Sequence, residues 1–232
     1  MKRSLPLLTA SGIFLGLSQS ASAGEELGAG FTLSSNVAIT TNYVFRGATE
    51  SDEEPSVQGG FDFTHESGAY LGTWAASVAG YGGGEVELDY FAGYGFDVTD
   101  TIWADVGIYY YGYPDADGDP DTIELYAGLG TAFGDIEGDF YIHFSDDYFD
   151  LNESVYLETN WTMPIAHGFY GMAHLGYLNL LDADDEVEDD AYDILIGAGY
   201  EYGSLDLSLS FTYTDDGDDD EDFVFFTIAR DF

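Results

Sequence analysis

The pattern that most constrains this chain is a two-residue hydrophobic alternation, repeated from about residue 35 to the C-terminus in segments of roughly ten residues. No run of 18 apolar residues is present, so no segment reads as a transmembrane helix. Side chains two apart share one face of a strand. The clearest segment sets Val86, Leu88, Tyr90, Ala92, Tyr94 and Phe96 on one face against Glu87 and Asp89 on the other. Ile102 to Tyr110, Ile123 to Phe133, Val155 to Met163 and Leu205 to Tyr213 read the same way. At 35–46 the alternation puts Val37, Ile39, Thr41, Tyr43 and Phe45 outward, and at 69–78 it does so for Tyr70, Gly72, Trp74, Ala76 and Val78. Segments of this length and period suit tilted membrane strands.

The connections alternate in length. Short turns fall at Glu66–Gly68, Asp97–Asp100, Gly134–Glu137, Pro164–Gly168 and Gly203-Ser204. Between them lie longer acidic stretches at Gly47–Glu54, Gly80–Gly84, Tyr113–Asp121, Asp146–Glu153, Asp182–Asp190 and Asp215–Asp222. A soluble sandwich has no reason to collect its long loops at one end. The expected fold is therefore all-β: a transmembrane antiparallel up-and-down β-barrel of about 12 strands, whose closure leaves no edge.

Composition narrows the class further. With 45 Asp and Glu against 4 Lys and Arg, the chain repels phosphate, which argues against nucleic acid as a partner. An aromatic content of 17% argues against disorder. The absence of cysteine excludes disulfide scaffolds and thiolate metal sites. Met1-Lys2-Arg3, the apolar run Leu5–Leu17 and Ala21-Ser22-Ala23 make residues 1–23 a signal peptide. The organisation expected is that peptide, a short lead-in over 24–35 and a barrel over 36–232. Its place is the outer membrane of a Gram-negative cell. Removal of 1–23 leaves Arg46 and Arg230 as the remaining arginines, with no lysine.

Tyr43, Phe45, Tyr70, Tyr94, Phe96, Phe169, Tyr200 and Tyr213 sit near segment ends on the expected outer face, where aromatic side chains favour the lipid–water interface. Phe232 resembles the terminal aromatic read by the barrel-assembly machinery during insertion. Arg230 departs from that alternation and fits a snorkelling position at the inner interface.

Asn42-Tyr43-Val44-Phe45-Arg46-Gly47, the stretch Gly60–Trp74, Glu87–Tyr94 and Glu124–Gly128 together resemble the TorF-type porin family. The resemblance spans roughly 36–232 and implies an outer-membrane barrel of ill-defined substrate, needing no cofactor.

Inward parity collects Asp62, Glu87, Asp89, Asp105, Glu124, Glu158, Asp193 and Asp206, with Arg46 as the cation among them. Acidic linings attract cations and repel anions. The expected function is a passive diffusion pore preferring small cations or cationic solutes, with these nine residues lining it. Neutralising Glu87 and Asp89 is then expected to weaken cation selectivity. The alternative is a structural or surface-interaction barrel that does not conduct, because an interior of about twelve strands can be filled by side chains. A minor alternative is outer-membrane lipid hydrolysis: His143-Phe144-Ser145 with Asn160 resembles the His-x-Ser pair of barrel phospholipases, but parity turns the pair inward. Asp115–Asp121 opens like a calcium loop, yet Gly118 stands at the fourth position and Tyr126 where the bidentate Glu belongs, which rejects an EF-hand. Loose calcium association at Asp182–Asp190 or Asp215–Asp222 competes with plain solvated charge. The remaining histidines have no metal-ligand spacing.

Overall fold

A computed structural model describes residues 24–79, 83–114, 116–118, 120–149, 151–181, 190–215 and 220–232. Among the described residues there are only strands: β1 (Glu25–Gly28), β2 (Phe31–Thr40), β3 (Val44–Phe45), β4 (Ala48–Thr49), β5 (Ser56–His65), β6 (Ala69–Ser77), β7 (Val86–Asp97), β8 (Ile102–Tyr111), β9 (Thr122–Phe133), β10 (Ile136–Ser145), β11 (Ser154–Ala166), β12 (Phe169–Leu180), β13 (Asp190–Tyr202), β14 (Leu205–Asp215) and β15 (Asp220–Asp231). Twelve of them, β2 and β5 to β15, form one closed antiparallel barrel. Each pairs with its neighbour in sequence, and β2 closes the ring between β15 and β5. Residues 24–35, expected as a lead-in, supply β1 and the first half of β2.

The alternation becomes two chemically opposite faces. Val57, Phe61, Leu71, Leu125, Ile196 and Leu209 are each more than half exposed, whereas Glu124, Asp89, Glu87 and Gln58 are buried. A water-soluble protein does the reverse; this chain turns aliphatic side chains to lipid and carboxylates inward. Aromatic pairs ring both ends of the outer face. Tyr90 meets Tyr110 at 6.3 Å and Tyr177 meets Tyr192 at 4.7 Å near the long loops. Tyr94 meets Phe96 at 6.0 Å and Phe169 meets Tyr200 at 4.6 Å near the short turns. Arg230 pairs in register with outward Val37, and its guanidinium lies 4.6 Å from the Phe232 ring. That end of the barrel lets it reach the interface.

Two expectations about facing are reversed. In β6 the register pairs Gly72 with Asp62 and Trp74 with Asp89, so Tyr70, Gly72, Trp74, Ala76 and Val78 face inward. Leu71, Thr73 and Ala75 face lipid instead. The first strand also ends at Thr40 and not at Arg46, because Thr41–Pro55 leaves the wall and folds into the bore. Tyr43 and Phe45 are consequently interior residues. Both reversals share one cause: part of this interior is itself aromatic, so an apolar side chain does not by itself mark the lipid face. Smaller shifts occur at the ends. β11 runs through Pro164 to Ala166 with an irregular register there, as a proline near a strand end requires. β14 and β15 extend to Asp215 and from Asp220, so the last loop is shorter than expected.

Residues 1–23, expected as a signal peptide, residues 80–82, Asp115, Asp119 and Asp150, and the acidic stretches 182–189 and 216–219 lie outside the described residues.

Candidate functional site: the barrel interior

The loop after β2, residues 41–55, is the centre of the interior. β3 and β4 form a two-residue hairpin in which Phe45 pairs with Ala48. Its turn residues, Arg46 and Gly47, have φ of 48° and 86°. Positive φ at both central positions is the type I′ geometry that fits the twist of a hairpin. Hydroxyl and amide side chains stiffen the loop: Thr49 Oγ1 donates to Asn42 Oδ1 at 2.6 Å, and Ser51 Oγ donates to the Glu54 carbonyl at 2.7 Å.

The hairpin crosses the bore and touches opposite walls. On one side Arg46 donates twice to Glu124 of β9, at 2.7 and 2.9 Å. Aromatic rings cage the guanidinium, with Tyr156 at 4.0 Å, Phe45 at 4.8 Å and Tyr148 at 5.4 Å. Burial alone would push the Arg46 pKa down; the adjoining Glu124 carboxylate outweighs it and holds the pKa above its usual value. On the other side a Cβ added to Gly47 would run into Thr214 of β14 and Asp193 of β13. Only glycine fits there.

From Arg46 a ladder of alternating acids and bases crosses five neighbouring strands. His143 of β10 lies between carboxylates, with Nδ1 3.4 Å from Glu124 Oε2 and Nε2 3.0 Å from Glu158 Oε1. His174 of β12 follows, with Nδ1 3.6 Å from Glu158 Oε2 and Nε2 2.7 Å from Asp193 Oδ1. Each rung stands two residues from the register partner of the previous one, the diagonal spacing of inward neighbours. The ladder starts where Arg46 docks and ends beside Gly47, so it ties both contacts of the hairpin to the wall.

The interior on either side of that hairpin is built differently. Towards β6–β10, rings fill the space. Tyr43 meets Trp74 at 5.6 Å, Phe45 meets Tyr111 at 5.6 Å, and Phe91 stacks on Tyr109 at 5.4 Å. Inward glycines seat them; a Cβ at Gly107 would strike the Tyr126 ring. Carboxylates on this side meet tyrosine hydroxyls: Tyr109 donates to Asp89 at 3.1 Å and Tyr70 to Asp105 at 2.8 Å. Tyr43 and Tyr113 bond to Glu87, and burial pushes the Tyr43 hydroxyl well above its ordinary pKa.

Towards β13–β15, β2 and β5 the lining is mostly small and hydroxylic. Thr40, Thr212, Thr214, Thr227, Ser208 and Ser210 are buried there, above a small cluster of Tyr170, Met172 and Leu195. A void of about 30 Å³ lies between this wall and the hairpin, with Gln58, Thr212, Thr227, Asp193 and Gly47 among its lining. That is room for a few water molecules.

The nine inward candidates thus divide into groups. Arg46, Glu124, Glu158 and Asp193 belong to the ladder, although Arg46 sits on the inserted hairpin and not on a wall strand. Glu87, Asp89 and Asp105 belong to the aromatic side. Asp206 accepts from Tyr170 at 2.8 Å, and Asp62 and Asp206 both lie near Asp231 towards the short turns. Sequence reasoning missed His143 and His174 as partners of those acids. Inward parity held the signal, since both stand two residues from other inward side chains on strands beside acidic ones. The hydrolase constellation does not assemble: His143 faces Glu124 and Glu158, Ser145 Oγ accepts from the Asp147 amide at 3.2 Å, and Asn160 bonds to Asp139 and His174. Among the described residues no group of three or more His, Asp or Glu could hold a metal ion.

A closed twelve-strand barrel with a lipid-facing aliphatic belt, two aromatic girdles and a charged interior is an outer-membrane barrel of the porin fold. Solved porins share it. The KdgM porin superposes with a TM-score of 0.60 at 7% identity, over 86% of this chain and 98% of that chain. The KdgM porin in complex with disordered oligogalacturonate gives 0.57 at 7% identity, over 86% and 97%. A barrel from a study of in-meso crystallization of membrane proteins gives 0.59 at 9% identity, over 86% and 83%. The chain belongs to Gcw_chp, a family of bacterial proteins of unknown function, whose model matches residues 24–232. No curated protein matches it in sequence.

Proposed function

We propose that this barrel is a narrow passive channel of the outer membrane, preferring small cations, with the hairpin of residues 44–49 as its constriction. The charge of the interior carries the reading. Seven acidic side chains named above, Asp62, Glu87, Asp89, Asp105, Glu124, Glu158 and Asp193, are buried inside, and among the described residues Arg46 is the single Lys or Arg that joins them. An acidic interior of low dielectric draws cations in and holds anions out. Oligogalacturonate, the ligand named with the KdgM porin, is a polyanion, and the same fold with this interior would repel it. The TorF-type resemblance of residues 42–47 falls on the inserted hairpin, so the stretch proposed to build the constriction is one that resembles that porin family. Phe232 serves as the insertion signal for the barrel-assembly machinery, and residues 1–23 as the signal peptide removed before it. The protein has no catalytic role in this reading.

The test is the zero-current potential of refolded protein in planar bilayers across a salt gradient. A potential of the sign set by cation flow is expected, and a potential of the opposite sign overturns the cation preference. One observation favours a second reading, a wall-stabilising barrel that does not conduct: the hairpin is seated on both sides of the bore, with Arg46 on Glu124 and Gly47 against Thr214. Absence of unitary current in any bilayer would favour that reading over the first.

A further inference from the structure

We propose that ions cross this barrel off-centre, between the hairpin and the wall of β14, β15, β2 and β5. We further propose that threonine and glutamine oxygens on that wall, and not the carboxylates of the aromatic side, discriminate between small cations and anions. The inference rests on the channel reading above and names the residues that give it selectivity.

The hydrogens of that wall point away from the void. Thr40 Oγ1 donates to the Asn42 carbonyl at 2.8 Å, Thr227 Oγ1 to Thr40 Oγ1 at 3.0 Å, and Thr212 Oγ1 to the Ile194 carbonyl at 3.0 Å. A hydroxyl has one hydrogen and two lone pairs. With each hydrogen already used within the protein, these groups offer oxygen lone pairs to whatever enters. Gln58 Oε1 adds a fourth acceptor. It is buried, lines the same void and has no hydrogen-bond partner. A buried acceptor without a donor is costly, and a cation or an oriented water supplies what it lacks. Asp193 at the hairpin tip lines the same void, beside its partner His174 at 2.7 Å and the Arg46 guanidinium held by Glu124.

The aromatic side is occupied by a cluster of buried rings. Rings stack at 5.4 Å and closer, and its carboxylates are met by tyrosine hydroxyls. A surface of oxygen acceptors can stand in for part of the hydration shell of a hard cation, whereas the charged donors that border the void, Arg46 and His174, lie off this wall and are paired with Glu124 and Asp193. The void admits species the size of a water molecule, so an alkali cation is the solute class that fits with the hairpin docked.

Two measurements test this. In bilayers with a potassium nitrate gradient, the double variant Gln58→Leu, Thr212→Val keeps shape and removes two acceptors. Its cation-to-anion permeability ratio is expected to fall about fivefold or more, while Thr212→Ser keeps the wild-type ratio. An unchanged ratio in the double variant overturns the proposal. The second measurement uses the absence of native cysteine. Thr212→Cys on the wall and Ala76→Cys on the aromatic side are treated in the refolded state with silver nitrate, then unfolded and labelled with N-ethylmaleimide for intact mass. Silver, a small monovalent cation, is expected to protect the first thiol and leave the second fully labelled. Equal protection, or protection of Ala76→Cys alone, overturns the route. This readout needs no current, so a silent barrel would sink the channel reading while the route is still judged separately.

Discussion

The two sides of the hairpin use the same closed wall for opposite ends. Between β6 and β10 the interior resembles the core of a soluble protein, with Phe91, Tyr109, Tyr111, Tyr126 and Tyr141 in one cluster and its carboxylates met by phenols. Between β13 and β5 the interior is thin, hydroxylic and incompletely filled. Barrel closure alone therefore does not make a pore. Side-chain volume decides which arc of the circumference is structure and which can be a path.

The ladder should give the largest effect, because it borders both sides. Glu124→Ala leaves the Arg46 guanidinium buried without its carboxylate, and breaking such a pair costs about 3–5 kcal/mol. We expect a lower unfolding midpoint together with a larger unitary conductance as the hairpin leaves the bore. Unchanged conductance would mean that Arg46 does not hold it in place. Phe91→Ala should cost about 3 kcal/mol or slightly more by opening a cavity among rings. It separates the two sides if denaturant titration registers the loss while reversal potentials stay at wild type.

Gly47→Ala comes next. It adds a Cβ against Thr214 at a φ of 86°, and strain of this kind is worth about 1–3 kcal/mol. The hairpin should shift from its seat, and tryptic cleavage after Arg46 in the refolded barrel should speed up. A cleavage rate equal to wild type would contradict the docking. The smallest contrast concerns charge. Asp193→Asn beside the void should lower the cation preference more than Glu87→Gln, which sits behind Tyr43 and Tyr113. Paired reversal potentials read the difference, and the opposite order would place the path on the aromatic side.

Most of the wall was legible because membrane strands obey a local rule. Val86 to Phe96 and Ile123 to Phe133 face lipid as their alternation requires, since a residue two positions along returns to the same face. Loop lengths likewise revealed which ends belong together. The rule failed at β6 and at Tyr43 and Phe45, where an apolar ring marks an inner surface instead of an outer one. Leu71, an aliphatic residue between Tyr70 and Gly72, was the weak local clue that β6 faces the other way.

What the order of residues settled by itself was the barrel: its period, its strand number, its lipid face and the acidity of its interior. Each follows from neighbours within one strand or one turn. The path was decided only by tertiary structure. Arg46 finds Glu124 across 78 residues, and Gly47 meets a strand far along the chain. Whether a loop lies outside or crosses the bore depends on such distant partners. Alternation carries no record of them, because it registers which way a side chain points and not what it will meet there.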